Sequence, residues 1–326
     1  MNNFSFKVMR MLTLGMLMAI AGTSAAQQAY PSKPIRFISP YPPGGSTTVV
    51  ARLIGQKFTE SWGQPVIIDN RPGANTIIGS EALVKSPPDG HTIMIVNTAH
   101  VINPNLFTTP YDAVKDFAPV ATLVTTEYFL ALNAAVPANT LKEFIALAKA
   151  KPGVLNYGTS GAGGAGHLAT ELFNTEAGIK TQHVPYKGTG PALTDLISGQ
   201  IQFYFSPPIV TISHIKSGRL KALAITGEVR SPAMPQVPTF AEAGLPSFDV
   251  RFWQGILAPA GTPKPVVDKL SAEIARILKL PDVKETLATQ GMTPLISTPE
   301  RFAAVIKADL ATLAKVIKSA NIKLDK

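Results

Sequence analysis

The chain has 326 residues, a formal net charge of +9 at pH 7 and no cysteine. This length is enough to bury a large core, usually divided between two domains, so the fold needs no disulfide framework. Basic and acidic residues are interspersed, and the basic ones never form a block of five. Nucleic-acid binding needs a clustered basic face or a stacking motif, and it is therefore not expected.

The first residues have the pattern of a signal peptide. Lys7 and Arg10 form a positively charged segment before an apolar run at residues 11–21. Ser24, Ala25 and Ala26 supply the small residues of a cleavage site. The apolar run is too short for a membrane span, which needs about 20 residues. We therefore expect residues 1–26 to be a signal peptide cleaved near Ala26, and the mature protein to be exported.

The segment after the leader alternates short apolar runs with amphipathic helices. Strands are predicted at residues 35–39, 66–69 and 92–96, and helices at residues 47–62 and 77–85. This β-α-β-α-β order requires a parallel sheet with crossover connections.

A second α/β unit follows two further strand-like runs at residues 120–124 and 128–132. Helices are predicted at 141–149, 167–177 and 192–198, and strands at 155–157, 183–186, 202–205 and 221–226. The sequence therefore predicts two α/β units in one chain.

The last third of the chain has two amphipathic helices, whose apolar stripes begin at Val267 and Phe302 and are expected to pack on the core. Before them lies a proline-rich stretch from Arg230 to Pro263. It contains aromatic residues such as Phe240, which would not suit a disordered linker, so we expect an ordered connector between the units.

Two glycine-rich turns each follow a predicted strand and open a predicted helix, at residues 40–47 and 158–166. The first turn of a helix leaves N–H groups without partners, and the helix dipole adds about half a positive charge there. Two such turns could hold one acidic molecule from two sides without a basic side chain. The alternative is that the glycines serve only the connections from strand to helix.

Motifs for cofactors, metals and catalysis are incomplete. Residues 161–166 satisfy G-x-G-x-x-G, but the chain about 20 positions later reads Pro-Tyr-Lys instead of an acidic residue, so no dinucleotide cofactor is expected. Residues 187–189 resemble only a fragment of a P-loop. The five histidines show no metal spacing, and no metal is expected. Because residues 158–162 come close to a nucleophile elbow, an exported hydrolase or lyase using Ser160 or His167 is the alternative function.

Five blocks, taken in order, resemble one family of receptors. They are residues 33–46, 70–74, 88–92, 183–188 and 191–196. Together they are similar to the Bug-type (TctC-like) extracytoplasmic solute-binding proteins, the receptors of tripartite tricarboxylate transporters. The resemblance extends over essentially the whole mature chain, and it is the combination of blocks that makes it specific.

The resemblance implies an α/β Venus-flytrap fold of the type II periplasmic binding protein class, with two doubly wound lobes joined by a hinge. The expected bounds are 27–124 and 226–255 for lobe 1 and 125–225 and 256–326 for lobe 2, with C-terminal helices that can pack across both. Candidate hinge positions lie near Thr125, Thr226 and Gly255.

The resemblance also implies a function. The expected protein is a monomeric periplasmic receptor without catalytic activity. It would bind a small carboxylate, either a di- or tricarboxylate or an aromatic carboxylate, in the cleft between the lobes. The partners would be the integral-membrane permease subunits of a secondary transporter, with no cofactor.

The expected ligand-binding residues follow from the resemblance and from the rule that ligands bind at the carboxyl ends of parallel strands. They are Tyr41, Gly44, Gly45, Thr48, Thr98, His100, Ser160, Gly161, Gly164 and Ser206. Thr48 and Ser206 stand where many relatives carry aspartate, which argues against an amino-acid ligand and for a plain carboxylate. Bracing of their own loops is an equally open role for these two residues.

Overall fold

The computed structural model describes residues 30–44, 46–161, 163–186, 188–248, 250, 252–289 and 291–319. The predicted signal peptide and its cleavage position lie outside these residues. The strands in the described part of the chain are β1 (Ile35–Ser39), β2 (Val66–Asn70), β3 (Thr92–Asn97), β4 (Phe117–Thr126), β5 (Phe129–Asn133), β6 (Asn156–Thr159), β7 (Gln182–Pro185), β8 (Phe203–Ser206), β9 (Leu220–Ile225), β10 (Phe252–Pro259) and β11 (Met292–Pro294).

The helices in the same residues alternate with the strands over most of the chain. They are α1 (Ser46–Trp62), α2 (Ile77–Val84), α3 (Ala99–Leu106), α4 (Leu141–Ala150), α5 (Ala165–Ala177), α6 (Thr189–Ser198), α7 (Pro208–Lys216), α8 (Lys264–Ile277), α9 (Pro281–Thr289) and α10 (Pro299–Ser319), with a short 3₁₀ turn at Ala74–Thr76.

The first sheet has the strand order β11-β4-β10-β3-β1-β2. Strand β1 pairs in parallel with both β2 and β3, so the predicted parallel β-α-β-α-β unit is confirmed. The sequence did not predict β10, which lies between β3 and β4 and is antiparallel to both. The first sheet is therefore mixed, and its centre is completed by a strand from the last third of the chain.

The second sheet has the strand order β7-β6-β8-β5-β9. Strand β6 pairs in parallel with β7 and β8, whereas β5 is antiparallel to β8 and β9. The second α/β unit predicted from the sequence is therefore also present. We call the first sheet with its helices the first lobe and the second sheet with its helices the second lobe.

Each lobe has its own buried core. In the first lobe, apolar side chains of α1 and α8 cover the sheet, with Phe58 and Leu270 fully buried. The second lobe is filled by a group of phenylalanines that includes Phe173 and Phe205, whose ring centroids lie 5.7 Å apart. Each fully buried side chain of this size contributes about 1.5–3 kcal/mol, which lets both lobes fold without disulfides.

The proline-rich stretch divides between the lobes in a way that differs from the expected bounds. Phe240 and Phe248 pack in the core of the second lobe, although residues 226–255 were expected in lobe 1. Residues 256–319 belong to the first lobe, although lobe 2 was expected, because β10 pairs with β3 and β4 and because α8 packs on the same sheet. The chain thus crosses between the lobes once after β4 and once before β10.

The C-terminal helix α10 touches both lobes. Near its start, Phe302 and Ile306 pack in the first lobe. Near its end, Ile317 packs with Ile102 of α3 and Leu168 of α5, which belongs to the second lobe. The helix therefore bridges the two lobes.

Candidate functional site

A cavity lies between the lobes at the carboxyl ends of the parallel strands. Its volume is about 400 Å³, and both lobes contribute to its wall. We call it the cleft cavity. Its lining residues are Gly44, Ser46, Asn97, Thr98, Thr126, Tyr128, Ala165, Thr189, Pro207, Val210, Phe252, Trp253, Gln254 and Met292.

The first residues of three helices line this cavity. Helix α1 begins at Ser46 in the first lobe, and α5 and α6 begin at Ala165 and Thr189 in the second. The residues before α5 and α6 are Gly164 and Gly188, and no side chain caps either helix. The first-turn amides of α5 and α6 therefore keep their hydrogen-bonding capacity for a ligand.

The electrostatics of the cavity favour an anion. None of the described residues that line it carries a charged side chain. Helix N-termini hold an anion through N–H groups and the helix dipole, and each such interaction contributes typically 0.3–1 kcal/mol, up to about 2 kcal/mol when partly buried. The backbone can thus neutralise a carboxylate without the cost of burying a cation.

Gln254 on β10 supplies an unsatisfied polar group at this cavity. The residue is only 6% exposed, and its Oε1 atom is buried with no hydrogen-bond partner among the described residues. An unpaired buried acceptor costs about 1–3 kcal/mol. A ligand or a water molecule that donates to Gln254 would remove this cost.

The first glycine-rich turn contributes Gly44 to the lining, whereas Gly45 lies outside the described residues. Tyr41 does not line the cleft cavity. Its carbonyl accepts a hydrogen bond from Asn70 Nδ2 at 2.9 Å, and its hydroxyl is buried without a partner among the described residues. Burial raises the pKa of the Tyr41 hydroxyl well above its ordinary value.

Thr48 is turned into the first lobe and is 1% exposed. Its hydroxyl lies 3.2 Å from Ser39 Oγ and donates to the carbonyl of Pro42 at 3.3 Å. These bonds tie the first turn of α1 to the end of β1. In this structure Thr48 therefore braces its loop and does not line the cavity.

The second glycine-rich turn reaches the cavity through Ala165, whereas the predicted residues Ser160, Gly161 and Gly164 do not line it. Ser160 is exposed, and its carbonyl accepts the amide of Gly188 at 3.1 Å, which joins the two loops that open α5 and α6. Gly161 offers its carbonyl to Thr159 Oγ1 at 3.0 Å.

Ser206, the last residue of β8, is fully buried, and its hydroxyl donates to the carbonyl of Pro207 at 3.3 Å. The cavity wall at this loop is formed by Pro207 and Val210 instead. As with Thr48, the hydroxyl braces the loop in this structure.

Thr98 lines the cleft cavity, whereas His100 does not. Its ring is 1% exposed in the first lobe, with Nε2 2.9 Å from the carbonyl of Ala113 and Phe117 edge-on at 4.8 Å. Burial lowers the pKa of His100 to about 4. Helix α3 begins at Ala99 and turns the next side chain into the core, so ligand contact by His100 stays a prediction.

His167 is the second residue named for the alternative hydrolase or lyase, and its side chain hydrogen-bonds to the glycine-rich turn. Its Nδ1 accepts the amide of Gly163 at 3.0 Å, and its ring stacks on His183 with centroids 3.9 Å apart. Burial lowers the pKa of both rings to about 4. Among the described residues no hydrogen bond joins Ser160 to His167.

Sequence reasoning missed several lining residues. Thr189 follows Gly188, whose φ of 109° favours glycine. A glycine directly before a helix start could have indicated Thr189 as a candidate site residue. Gln254 and its neighbours on β10 lay in the proline-rich connector, where no local pattern indicated a site. Thr126 and Tyr128 lie where the chain crosses between lobes, close to the candidate hinge at Thr125.

Two features that would point to other functions are absent from the described ranges. No three His, Asp or Glu side chains in them lie close enough to hold a metal ion. None of the described helices combines the length and the apolar character that a membrane crossing requires.

Comparison with known proteins places this geometry in context. Residues 50–322 match the family described as "Tripartite tricarboxylate transporter family receptor". The chain is 36% identical over 316 residues to "Protein BugT" of Bordetella pertussis, covering 95% of this chain and 97% of that protein.

Solved structures of similar fold and sequence come from the same kind of protein. The structure described as "R. palustris Rpa4515 with adipate" is 32% identical with a TM-score of 0.80, covering 90% of this chain and 99% of that one. "MatC (Rpa3494) from Rhodopseudomonas palustris with bound malate" is 32% identical with a TM-score of 0.76, covering 88% of this chain and 100% of that one. These neighbours confirm the predicted α/β fold of the type II periplasmic binding proteins. The chain therefore belongs to the receptor family of the tripartite tricarboxylate transporters.

Proposed function

We propose that this chain is a periplasmic receptor that binds a small carboxylate in the cleft cavity through backbone amides at helix N-termini. The observation that carries the proposal is the meeting of three helix starts, at Ser46, Ala165 and Thr189, around one cavity whose described lining is uncharged. Such amides hold anions without basic side chains.

The chemistry of the lining favours a plain carboxylate over an amino acid. An amino-acid ligand brings an ammonium group, which needs a carboxylate or several acceptors once it leaves water. The described lining of the cleft cavity offers no Asp or Glu. The ligands of the two neighbouring structures, adipate and malate, are both carboxylates without an ammonium group.

The two-lobed architecture allows ligand binding to change the shape of the receptor. A ligand shifts an equilibrium between open and closed forms only as far as it binds the closed form more tightly. A carboxylate that contacts α1 of the first lobe and α5 or α6 of the second stabilises closure, and closure is the hinge-type motion of such proteins. The closed monomer then presents a shape that the membrane permease subunits of a tripartite tricarboxylate transporter recognise.

Delivery to the periplasm rests on residues 1–26. In the proposal they direct export and are removed near Ala26, which leaves a mature chain that begins at Gln27. Edman sequencing or intact mass measurement of the protein recovered from the periplasm tests this step, and a retained leader would contradict it.

Thermal melting of the mature protein against a panel of carboxylates tests the function. A ligand at one hundred times its Kd stabilises the folded state by about 2.7 kcal/mol, so a true ligand gives a distinct shift in Tm. The corresponding amides, which lack the charge, serve as the matched controls. We expect carboxylates alone to shift the Tm and to be recovered unchanged, whereas a flat panel or chemical turnover of the ligand would contradict the proposal.

A further inference from the structure

Two stacked histidines lie next to the glycine-rich turn that leads into α5. His167 is the third residue of α5, and His183 lies on β7. Their rings have centroids 3.9 Å apart and an interplanar angle of 15°. We call these two residues the histidine pair. The carboxylate-binding mechanism proposed above gives neither ring a role, although His167 is only 7% exposed.

His167 holds an amide of the turn. Its Nδ1 atom accepts the N–H of Gly163 at 3.0 Å. This bond requires an Nδ1 atom without a proton, so a neutral His167 carries its proton on Nε2. Gly163 has a φ of 72°, a left-handed conformation that favours glycine. The imidazole thus fixes the backbone two residues before Ala165, which lines the cleft cavity.

His183 holds a carbonyl of the same turn through Thr159. The hydroxyl of Thr159 donates to the carbonyl of Gly161 at 3.0 Å, so its single proton is already used. The Nε2 atom of His183 lies 2.7 Å from Thr159 Oγ1 and must therefore be the donor in that bond. Both neutral rings then carry their proton on Nε2, and the pair holds the turn at one carbonyl and at one amide.

The surroundings keep both rings neutral. Burial lowers the pKa of each ring to about 4, and the neighbouring His183 lowers the pKa of His167 further. The positive end of the α5 dipole also disfavours a charged imidazole in the first turn. Tyr157 of β6 stacks on His183 with centroids 5.0 Å apart and donates to Glu171 of α5. Burial raises the pKa of Glu171 above its ordinary value. At neutral pH the histidine pair therefore adds no charge to the turn.

The absence of charge on His167 matters because of its position in α5. In a capping box, the third residue of a helix is Glu or Gln, and its side chain accepts a backbone N–H at the helix start. His167 makes the equivalent contact with Gly163. An acidic residue here would also hold the turn, but its negative charge would repel an anion at the start of α5. The neutral imidazole accepts the amide without that repulsion.

We propose that the histidine pair positions the second glycine-rich turn through neutral hydrogen bonds, and so presents the amides at the start of α5 to an anionic ligand without adding charge of either sign. The inference rests on the proposed function, because it takes the ligand to be a carboxylate at the start of α5. His167 is a positioning residue, since it acts through the turn and does not line the cleft cavity.

Nitrogen-15 NMR of the ligand-free protein tests the geometry. At pH 7 we expect both rings of the histidine pair to be neutral with the proton on Nε2, and the Gly163 amide to be protected from exchange with solvent. His167→Leu is expected to lose this protection. His167→Asn is expected to keep it, because Asn carries an acceptor oxygen on Cγ, where histidine carries Nδ1. A proton on Nδ1 of His167, or equal protection in the two variants, would overturn the proposal.

The comparison of His167→Asn with His167→Asp tests the importance of neutrality, since the two side chains have the same shape and differ by one charge. Isothermal titration at pH 8 measures the affinity for hexanoate and for adipate, and the ligand that binds the wild-type protein more tightly is compared. We expect the Asp variant to bind at least fivefold more weakly than the Asn variant, because its charge repels the ligand carboxylate. The same two substitutions at His214, in the last turn of α7, are the control and are expected to give equal affinities.

The outcomes separate this inference from the proposed function. Wild-type binding together with equal affinities of His167→Asn and His167→Asp would overturn the inference alone. Failure of both ligands to bind the wild-type protein would overturn the carboxylate receptor and, with it, the role of the histidine pair in anion binding.

Discussion

The ring of Tyr128 stacks on the ring of Phe252, with centroids 4.2 Å apart and an interplanar angle of 28°. Tyr128 lies where the chain first crosses from the first lobe to the second. Phe252 is the first residue of β10, at the point where the chain has crossed back to the first lobe. Both rings line the cleft cavity. The two crossings are thus joined by an aromatic pair in the wall of the proposed binding site.

The same crossing is fixed by Thr226. The amide of Tyr128 donates to Thr226 Oγ1 at 2.8 Å, and the amide of Thr226 donates to the carbonyl of Tyr128 at 2.9 Å. We predict that Thr226→Val lowers the free energy of unfolding by about 1–3 kcal/mol, because the Tyr128 amide loses its acceptor. Urea denaturation measures the change. Thr194→Val, which removes a hydroxyl from an exposed helix position, is the control and is expected to stay within about 0.5 kcal/mol of the wild type.

Gly255 allows β10 to lie against α10. A Cβ atom at this position would lie 2.9 Å from the carbonyl oxygen of Ala121 and would overlap the ring of Phe302. We predict that Gly255→Ala destabilises the fold by about 1–3 kcal/mol, since a backbone atom cannot move aside. Gly190→Ala meets no atom within 4 Å and is the control, with unchanged or slightly raised stability. Equal denaturation midpoints for the two variants would contradict this account of the contact.

His100 makes stability depend on pH. Burial lowers its folded-state pKa to about 4, whereas an unfolded histidine titrates near 6.5, so the unfolded chain binds the extra proton between these values. The stabilisation is complete above pH 6.5 and is lost as pH falls toward 4, by about 3 kcal/mol from this one group. We predict a flatter dependence of the unfolding free energy on pH for His100→Gln over this window. An unchanged slope would show that His100 is not responsible.

The sequence predicted those elements whose hydrophobic pattern is local. The β1–α1 unit has an apolar run followed by a glycine-rich turn and an amphipathic helix, and each signal lies within about 25 residues. Strand β10 was missed because its residues include Gln254 and Gly255 and are flanked by prolines. It forms through pairing with β3 and β4, which are far away in the chain.

Helix α7 was missed for a different reason. Two adjacent prolines, Pro207 and Pro208, argue against the interior of a helix. Proline is nevertheless well suited to the first position of a helix, and Pro208 is the first residue of α7.

The candidate site likewise has residues that local sequence patterns could predict and residues that they could not. The ends of predicted strands indicated Gly44 and Thr98 as candidates. Gln254 reaches the cavity only through tertiary strand pairing, which no local pattern encodes.

Binding of hexanoate and adipate to Ala165→Pro, measured by isothermal titration, tests the central claim that backbone amides hold the carboxylate. Proline fits the first position of α5, because Gly164 before it is already extended at φ −79° and ψ 172°, but it removes the Ala165 amide. Ala165→Val adds comparable bulk and keeps the amide. A hydrogen bond to a charged group contributes about 1.5–3 kcal/mol, so we predict that the proline variant binds the preferred ligand at least tenfold more weakly than the valine variant. Equal affinity of the two variants would contradict the account.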